Sequence, residues 1–410
     1  MTRIFKFGGA SVRDASSIRN LSHILKIENF TKGVIVLSAM GKTTVALEKL
    51  AALAFKNVNY NNPLAELFEY HEAIQRELRV TSKRYEIYKS QLIDGLQNSH
   101  TEWYSYLDRI LPFGELFSTS IVSEFLAKTT DIQWLDAREM IVTDSSYGEA
   151  RVNWSETKHR IKRTVDTSKI CLTQGYIGRS EDGIPVTLGK EGSDYTASIL
   201  ANCLEAEQVT VWKDVPGILN ADPKLMEETN LFDRLSYHEI TEMTYYGAKV
   251  IHPKTISPLA KKEIPLFVRS FVNPKETGTL IEAGDASKIQ LPTFIFKFNE
   301  LVVTVRPRNN EFMDEIKLMK IFQVLHENNV KINLMQNSAL TFTFCFDYHE
   351  AKLEAIKKAL TGDFMFRFND ELHLATIKNH NEDSIKKLPK TNKIYIEQKS
   401  RSVYHRLYRV

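Results

Sequence analysis

The residues Thr187-Leu188-Gly189-Lys190-Glu191-Gly192-Ser193-Asp194-Tyr195-Thr196-Ala197 carry the side chains in this chain best suited to chemistry. An apolar run from Ile184 to Leu188 reads as a strand. A glycine, a cation and a second glycine follow, and Ser193-Asp194 open a helix with apolar Ala197, Ile199, Leu200 and Leu204. Glycines permit a tight turn and close approach to a ligand. The helix start beyond them offers unpaired N–H groups and a positive dipole end, which suits an anion. Ser193 or Asp194 can cap that helix. Capping leaves Lys190 unexplained, since a long cation between two glycines has little to pack on. The stretch reads as half of an anion-binding active site.

Further candidates lie upstream. Ile4-Phe5-Lys6-Phe7 is a short apolar strand running into Gly8-Gly9-Ala10-Ser11, with helical spacing at Ile18, Leu21 and Leu25 beyond it. Strand, paired glycines and helix is an arrangement that cradles phosphate. Lys6 interrupts the strand just before the glycines; a phosphate ligand and a solvated edge lysine both fit the residue types. A second strand, Gly33 to Ala39, ends in Met40-Gly41-Lys42-Thr43-Thr44. This is no Walker A loop, because Val36 stands where that motif requires its first glycine. Both strands still end in small polar residues, where open α/β sheets bind ligands. Glu115, after Pro112-Phe113-Gly114, falls in the first turn of an apolar helix. An acid there steadies the helix dipole, or accepts a substrate ammonium; the pattern leaves both open.

The elements that must position these residues alternate. Strands at Ile132–Leu135, Ile141–Val142, Cys171–Gln174, Val209–Trp212 and Ile264–Phe271 are interspersed with helices, and Glu181-Asp182-Gly183 reads as a hairpin turn. Residues 45 to about 110 read as helical, one helix starting at Pro63 and another running from Tyr85 to Ile110. The expected fold is α/β, a mostly parallel sheet with helices on both faces, to about residue 285. Beyond it a βαββαβ order appears: strand Leu301–Val305, helix Met313–Asn329, strands Lys331–Met335 and Leu340–Phe346, helix Glu350–Leu360. That is a small α+β unit. A strand at His373–Ile377, another at Lys393–Ile396 and a basic tail, Arg401 to Arg409, follow; the tail reads as an exposed, solvated end.

With 54 basic against 51 acidic residues the net charge is +3, so no global field draws the chain to nucleic acid. No run of about 18 apolar residues is present to cross a bilayer. The start at Met1 passes straight into a strand without a signal-peptide core. Three scattered cysteines, Cys171, Cys203 and Cys345, suit a reducing cytoplasm, and no Cys/His cluster has zinc spacing.

In combination these segments resemble the aspartate kinases of the amino-acid kinase family. Lys6-Phe7-Gly8-Gly9-Ala10-Ser11-Val12 is similar to that family's opening KFGGTSV, and Ser38 to Thr44 to its second-strand turn. Phe113-Gly114-Glu115, Gln174 to Gly178 and Thr187 to Ala197 resemble its substrate segments. Asp214-Val215-Pro216-Gly217-Ile218, Asp222-Pro223-Lys224 and Gly247-Ala248-Lys249-Val250-Ile251-His252-Pro253 resemble its nucleotide side. The resemblance implies a catalytic domain over residues 1–285. It also implies an ACT-like regulatory region over 286–410, with one full unit at about 299–369 and a shortened one at about 370–410.

The resemblance further implies phosphorylation of the β-carboxylate of L-aspartate by ATP with Mg2+, the first step toward lysine, threonine and methionine. Lys6 and Asp194 would be catalytic. Ser38, Thr43, Glu115, Lys190 and Ser193 would bind the amino acid. Lys6, Gly8, Gly9, Lys213, Asp214, Gly217, Lys224 and Lys249 would bind ATP, and magnesium would be held mainly by the phosphates and water. A lysine or threonine effector and a homodimer through the C-terminal region are expected as well. Three positions depart from the pattern: Lys190 for arginine, Glu191 for glycine, Lys213 for threonine. With no second nucleotide-binding domain before Val410, a fused homoserine dehydrogenase is not expected. The competing readings are a glutamate, carbamate or UMP kinase of the same fold, and a catalytically inactive amino-acid sensor.

Overall fold

Lys6 does not lie at a sheet edge. The computed structural model describes residues 2–98, 102–248, 250–284, 291–309 and 311–409, and in it the strand bearing Lys6 is paired on both sides. The chain forms two compact units; the first comprises residues 1–219, 231–241 and 249–286. Its strands are β1 (Arg3–Phe7), β2 (Gly33–Leu37), β3 (Ile132–Leu135), β4 (Val142–Thr143), β5 (Ile170–Gln174), β6 (Ile177–Ser180), β7 (Pro185–Thr187), β8 (Gln208–Lys213), β9 (Arg234–Ser236), β10 (Leu266–Ser270) and β11 (Thr279–Glu282). Eight of them form one sheet in the order β3-β5-β2-β1-β8-β10-β11-β9. Every pairing in it is parallel except β10 with β11. β4, β6 and β7 form a small separate sheet, whose β6–β7 hairpin turns at Gly183 with φ 82°.

The helices in chain order are α1 (Ala15–Ile27), α2 (Thr43–Phe55), α3 (Asn61–Leu78), α4 (Lys83–Gln97), α5 (Trp103–Ile110), α6 (Phe113–Leu126), α7 (Ala137–Met140), α8 (Trp154–Thr164), α9 (Gly192–Leu204), α10 (Tyr237–Tyr246) and α11 (Pro253–Ala260). The strand period of two divides β1 between two faces. Phe5 and Phe7 join a core with Ile18 and Leu21 of α1 and Leu116 and Phe117 of α6. Lys6 points the other way, to α9. The single helix expected over Tyr85–Ile110 is two, because Glu102 caps a new one by accepting from Tyr104 N at 3.1 Å and from Ser105 N.

The second unit comprises residues 220–230, 242–248 and 287–410. It contains β12 (Thr293–Pro307), α12 (Glu315–Glu327), β13 (Leu334–Asn337), β14 (Phe342–Asp347), α13 (Glu350–Leu360), β15 (Phe364–Lys378), α14 (Glu382–Lys386), β16 (Ile394–Lys399) and β17 (Val403–Tyr408). These strands make one antiparallel sheet, β13-β14-β12-β15-β17-β16. The expected strand Leu301–Val305 is the second half of a longer one, carried through a register shift beside Asn299 at φ 59°. The basic tail is likewise no solvated end. Tyr404, Leu407 and Tyr408 are buried, and Arg406 and Arg409 reach Glu397 and Asp370 at 3.1 and 3.3 Å. Its apolar residues outweigh its cations once those cations have partners.

The end of β5 meets the start of α9 without slack. A Cβ added at Gly175 would lie 2.4 Å from Ser193 Cβ and 2.7 Å from Ser193 Cα. Gly175→Ala is therefore expected to destabilise the fold by about 1–3 kcal/mol, read as a lower Tm by differential scanning calorimetry, with Gly183→Ala (open space around it, but positive φ) as the comparison for backbone strain alone.

Candidate active site

The register of the parallel sheet sets the site. Phe7 lies opposite Leu37 and Trp212, Leu37 opposite Gln174, and Ser270 opposite Lys213. The residues that follow or end these strands, Gly8, Ser38, Gly175 and Lys213, are thereby gathered at one sheet margin, as expected for ligand binding in open α/β sheets. A cavity of about 590 Å³ opens there, lined by Lys6, Ser38, Glu115, Lys190, Ser193, Asp194 and Lys213 among others.

Lys6 and Asp194 form its floor. Lys6 Nζ lies 2.6 Å from Asp194 Oδ1, with side chains 9% and 3% exposed, and Lys213 Nζ lies 3.5 Å from Asp194 Oδ2. Burial pushes the Asp194 carboxyl up, but the ammonium groups of Lys6 and Lys213 outweigh it and hold it below the ordinary carboxylate range. Asp194 does not cap α9. The helix begins at Gly192 with Glu191 in the cap position and no side-chain cap bond. That placement frees the Asp194 carboxylate for the lysines.

Glu115 lines the same cavity from α6. One of its oxygens accepts from Ala39 N at 3.1 Å, and the other is buried without a hydrogen-bond partner among the described residues. Burial dominates here and pushes the carboxyl up to about 8, against the Ala39 N–H and the Lys6 charge. An unpaired buried carboxyl oxygen is costly unless a cation or a proton meets it. Gly114 lets α6 come this close, since a Cβ there would meet Ala39 Cβ at 2.9 Å.

Of the other expected residues, Thr43 turns away. It is 2% exposed, and its hydroxyl lies 3.3 Å from His71 Nε2. His71 Nδ1 lies 2.8 Å from Leu67 O, which can only accept, so Nε2 is left to accept from Thr43. Thr44, one step around α2, lines the cavity instead. Gly8 stands with its missing Cβ 3.5 Å from Lys6 Nζ, while Gly9 packs against Ala39 O and Gly41 O. Asp214 is exposed, and Gly217 sits where a Cβ would meet Thr279 Oγ1 at 2.6 Å. Lys224 belongs to the second unit, and Lys249 lies outside the described residues.

Sequence reasoning missed Asp108 and Tyr176. Asp108 is fully buried; it accepts from Gly148 N at 2.8 Å, Thr187 N at 3.0 Å and Thr187 Oγ1 at 2.7 Å. It thereby anchors β7, the strand that leads into Lys190. Its signal was an acid among the apolar residues Tyr106, Leu107 and Ile110 of a short helix. Tyr176 stands at φ 71° and lines the cavity.

Residues 1–270 match the sequence pattern described as the Amino acid kinase family. The chain belongs to that family. The bifunctional aspartokinase/homoserine dehydrogenase 2 of Arabidopsis thaliana, a chloroplastic protein, is 28% identical over 386 residues, which are 89% of this chain and 42% of that protein. The chain thus spans less than half the length of this relative. Lysine-sensitive aspartokinase 3 of Escherichia coli K12 is 27% identical over 360 residues, 84% of this chain and 78% of that one. Among solved structures, E. coli aspartokinase III in complex with aspartate and ADP superimposes with a TM-score of 0.81 at 24% identity, covering 100% of this chain and 96% of that one. The amino-acid kinase fold and the antiparallel C-terminal sheet are therefore shared.

The Glu115 carboxyl gives a pH signature. Its folded value, about 8, lies above the ordinary 4.5, so the folded state holds this proton while the unfolded chain releases it. Wild-type stability relative to Glu115→Gln is expected to be unchanged below about pH 4.5 and to fall as pH rises toward 8. Tm measured across that range for ligand-free protein checks it; parallel pH curves for the two proteins count against the assignment.

Proposed function

We propose that this protein transfers the γ-phosphoryl group of ATP to the β-carboxylate of L-aspartate, giving 4-phospho-L-aspartate and ADP. The observation that carries the reading is the Lys6–Asp194–Lys213 cluster sharing one cavity with a buried, half-paired Glu115. Transfer brings a carboxylate to a phosphate, so the chain must neutralise charge and hold the two anions in line. Lys6 faces the transferred oxygens, and Asp194 orients it. The attacking carboxylate is ionised near neutral pH, so no general base is needed. Glu115 receives the substrate ammonium on its unpaired oxygen. Lys190 meets the α-carboxylate through one charge rather than a fork. Ser38 and Ser193 contribute hydroxyls from the cavity wall.

Lys213 and the segment Lys249 to Pro253 serve the nucleotide, and Asp214 and Gly217 border it. Gly8 and Gly9 offer backbone N–H groups. Magnesium, held by ATP's own phosphates and water, supplies further neutralisation when bound. The E. coli relative was solved with aspartate and ADP together, which supports this pairing of substrates. The same enzyme was also solved with lysine and aspartate, which supports lysine as an effector. The exposed apolar side chains of Phe312, Ile316 and Met319 (73%, 74% and 65% exposed) suit a homodimer contact in the C-terminal region. Free, buried cysteines at 171, 203 and 345 fit a reducing cytoplasm.

Purified protein is expected to release ADP in an aspartate-dependent manner. Lys6→Ala and Asp194→Asn should each lose about 10²- to 10³-fold in kcat and also lower Tm, since each leaves a buried charge short of its partner, while the circular dichroism spectrum stays that of the wild type. A hydroxamate assay showing much stronger acyl-phosphate formation with glutamate than with aspartate would refute the substrate, and no turnover at any aspartate concentration would favour the sensor reading. Aspartate binding near pH 7 should also release a proton, as the incoming ammonium draws the Glu115 carboxyl below the solution pH. Calorimetry in two buffers of different ionisation enthalpy measures that release.

A further inference from the structure

Two side chains at the cavity reach the same short segment, Val250 to His252, just before α11. Lys213 Nζ donates to Val250 O at 2.6 Å, and Glu191 Oε2 accepts from His252 N at 2.8 Å. His252 is the cap residue of α11, its Nδ1 accepting from Lys254 N at 3.2 Å. Lys254 in turn pairs with Glu149 at 2.5 Å, and Glu149 Cγ lies 3.1 Å from where a Cβ on Gly189 would stand. The loop Gly189–Gly192 is thus tied to the start of α11 from both sides.

Glu191 is the unexpected member. It adopts φ 55° and ψ 28°, the left-handed region that disfavours a side chain. A glycine would occupy that conformation without strain. Its carboxylate, set beside an anion site, has one oxygen committed to His252 N at the positive end of α11. The strained backbone and the directed acceptor together suit a residue that orders another segment rather than one that binds substrate.

We propose that Glu191 is a positioning residue that fastens the Val250–His252 segment to the glycine loop and so preorders the nucleotide side of the cavity. This rests on the aspartate kinase reading, which places that segment beside ATP. Lys213 fastens the same segment at Val250, so the segment is held at two adjacent peptide groups while Lys213 also faces Asp194. A ligand that meets an already ordered segment loses less freedom on binding. The benefit falls on the nucleotide, since the bonds made by Glu191 and Lys213 both end on this segment.

The test is calorimetric titration of the full chain with Mg-ADP, alongside aspartate KM and Tm. Glu191→Gly should weaken Mg-ADP binding about three- to tenfold, the range of one hydrogen bond. Aspartate KM should change less than Mg-ADP affinity, because the bond that is lost runs to His252 N and not to Lys190 or Ser193, the neighbours assigned to the amino acid. Its Tm should not fall, because glycine relieves the left-handed strain. Glu191→Gln, whose amide oxygen still accepts from His252 N, should bind Mg-ADP like wild type. Unchanged Mg-ADP affinity in Glu191→Gly, with wild type turning over aspartate, overturns the inference and leaves the function standing. A joint loss of Tm and of both affinities overturns it in favour of a general structural role. Wild type that binds no Mg-ADP overturns both.

Discussion

One buried carboxylate, that of Asp194, governs the arrangement of the first unit. Its two oxygens are divided between Lys6 at 2.6 Å and Lys213 at 3.5 Å. Lys6, buried in the sheet, could not stand there without it, since a desolvated charge needs a partner. Yet two ammonium groups against one carboxylate leave a unit of positive charge at the cavity floor. A site so built is incomplete until an anion enters. The fold supplies each member from a different element: Lys6 from the sheet's interior, Asp194 from the first turn of α9, Lys213 from the last residue of β8. Their meeting depends on parallel strands ending in register and on α9 being held against Gly175.

Glu115 imposes the opposite demand. Its unpaired oxygen requires a positive group, or a proton in its absence. The cavity therefore has two electrical ends, one short of negative charge and one short of positive. A zwitterion with a second carboxylate satisfies both, whereas a simple dicarboxylate or a sugar phosphate leaves Glu115 with only a proton to meet its unpaired oxygen. Asp108 keeps the geometry between the ends by tying β7 to the Gly148 turn. Two backbone N–H groups and the Thr187 hydroxyl meet its carboxyl, although burial still pushes it above the ordinary carboxylate range.

Much of this was legible in the sequence because it is local. Alternating apolar runs and helical spacings within a few turns gave the parallel sheet, and glycine pairs at strand ends marked the ligand margin. Lys6 stood out as a cation in an apolar strand, though only sheet order shows that the strand is interior. Thr43 and Thr44 show the limit: adjacent residues on a helix point about 100° apart, and the pattern of types does not fix which one faces the cavity. The left-handed turn at Glu191 was hidden, because a non-glycine residue there gives no sign of positive φ. The tail Arg401 to Arg409 was misread because its cations are visible in the sequence and their partners, Glu397 and Asp370, are set by pairing across the sheet. Only the second half of β12, Leu301–Val305, was legible, since the apolar run is interrupted by Asn299 and Glu300, where the pairing shifts register.

The three departures from the family pattern make electrostatic sense only when taken together. Lysine for arginine at 190 conserves charge and gives up a fork. Lysine for threonine at 213 adds one positive charge beside Asp194, and glutamate for glycine at 191 adds one negative charge on the adjoining loop. The formal charge around the cavity is unchanged. The new cation also finds a neutral acceptor in Val250 O and the new anion a neutral donor in His252 N, so neither change leaves an isolated charge in the cavity wall. A site whose chemistry is charge neutralisation tolerates exchanged side chains when their sum is preserved and each one retains a partner. The Lys6–Asp194 pair is the part for which no such exchange is available, because both of its members are buried against each other.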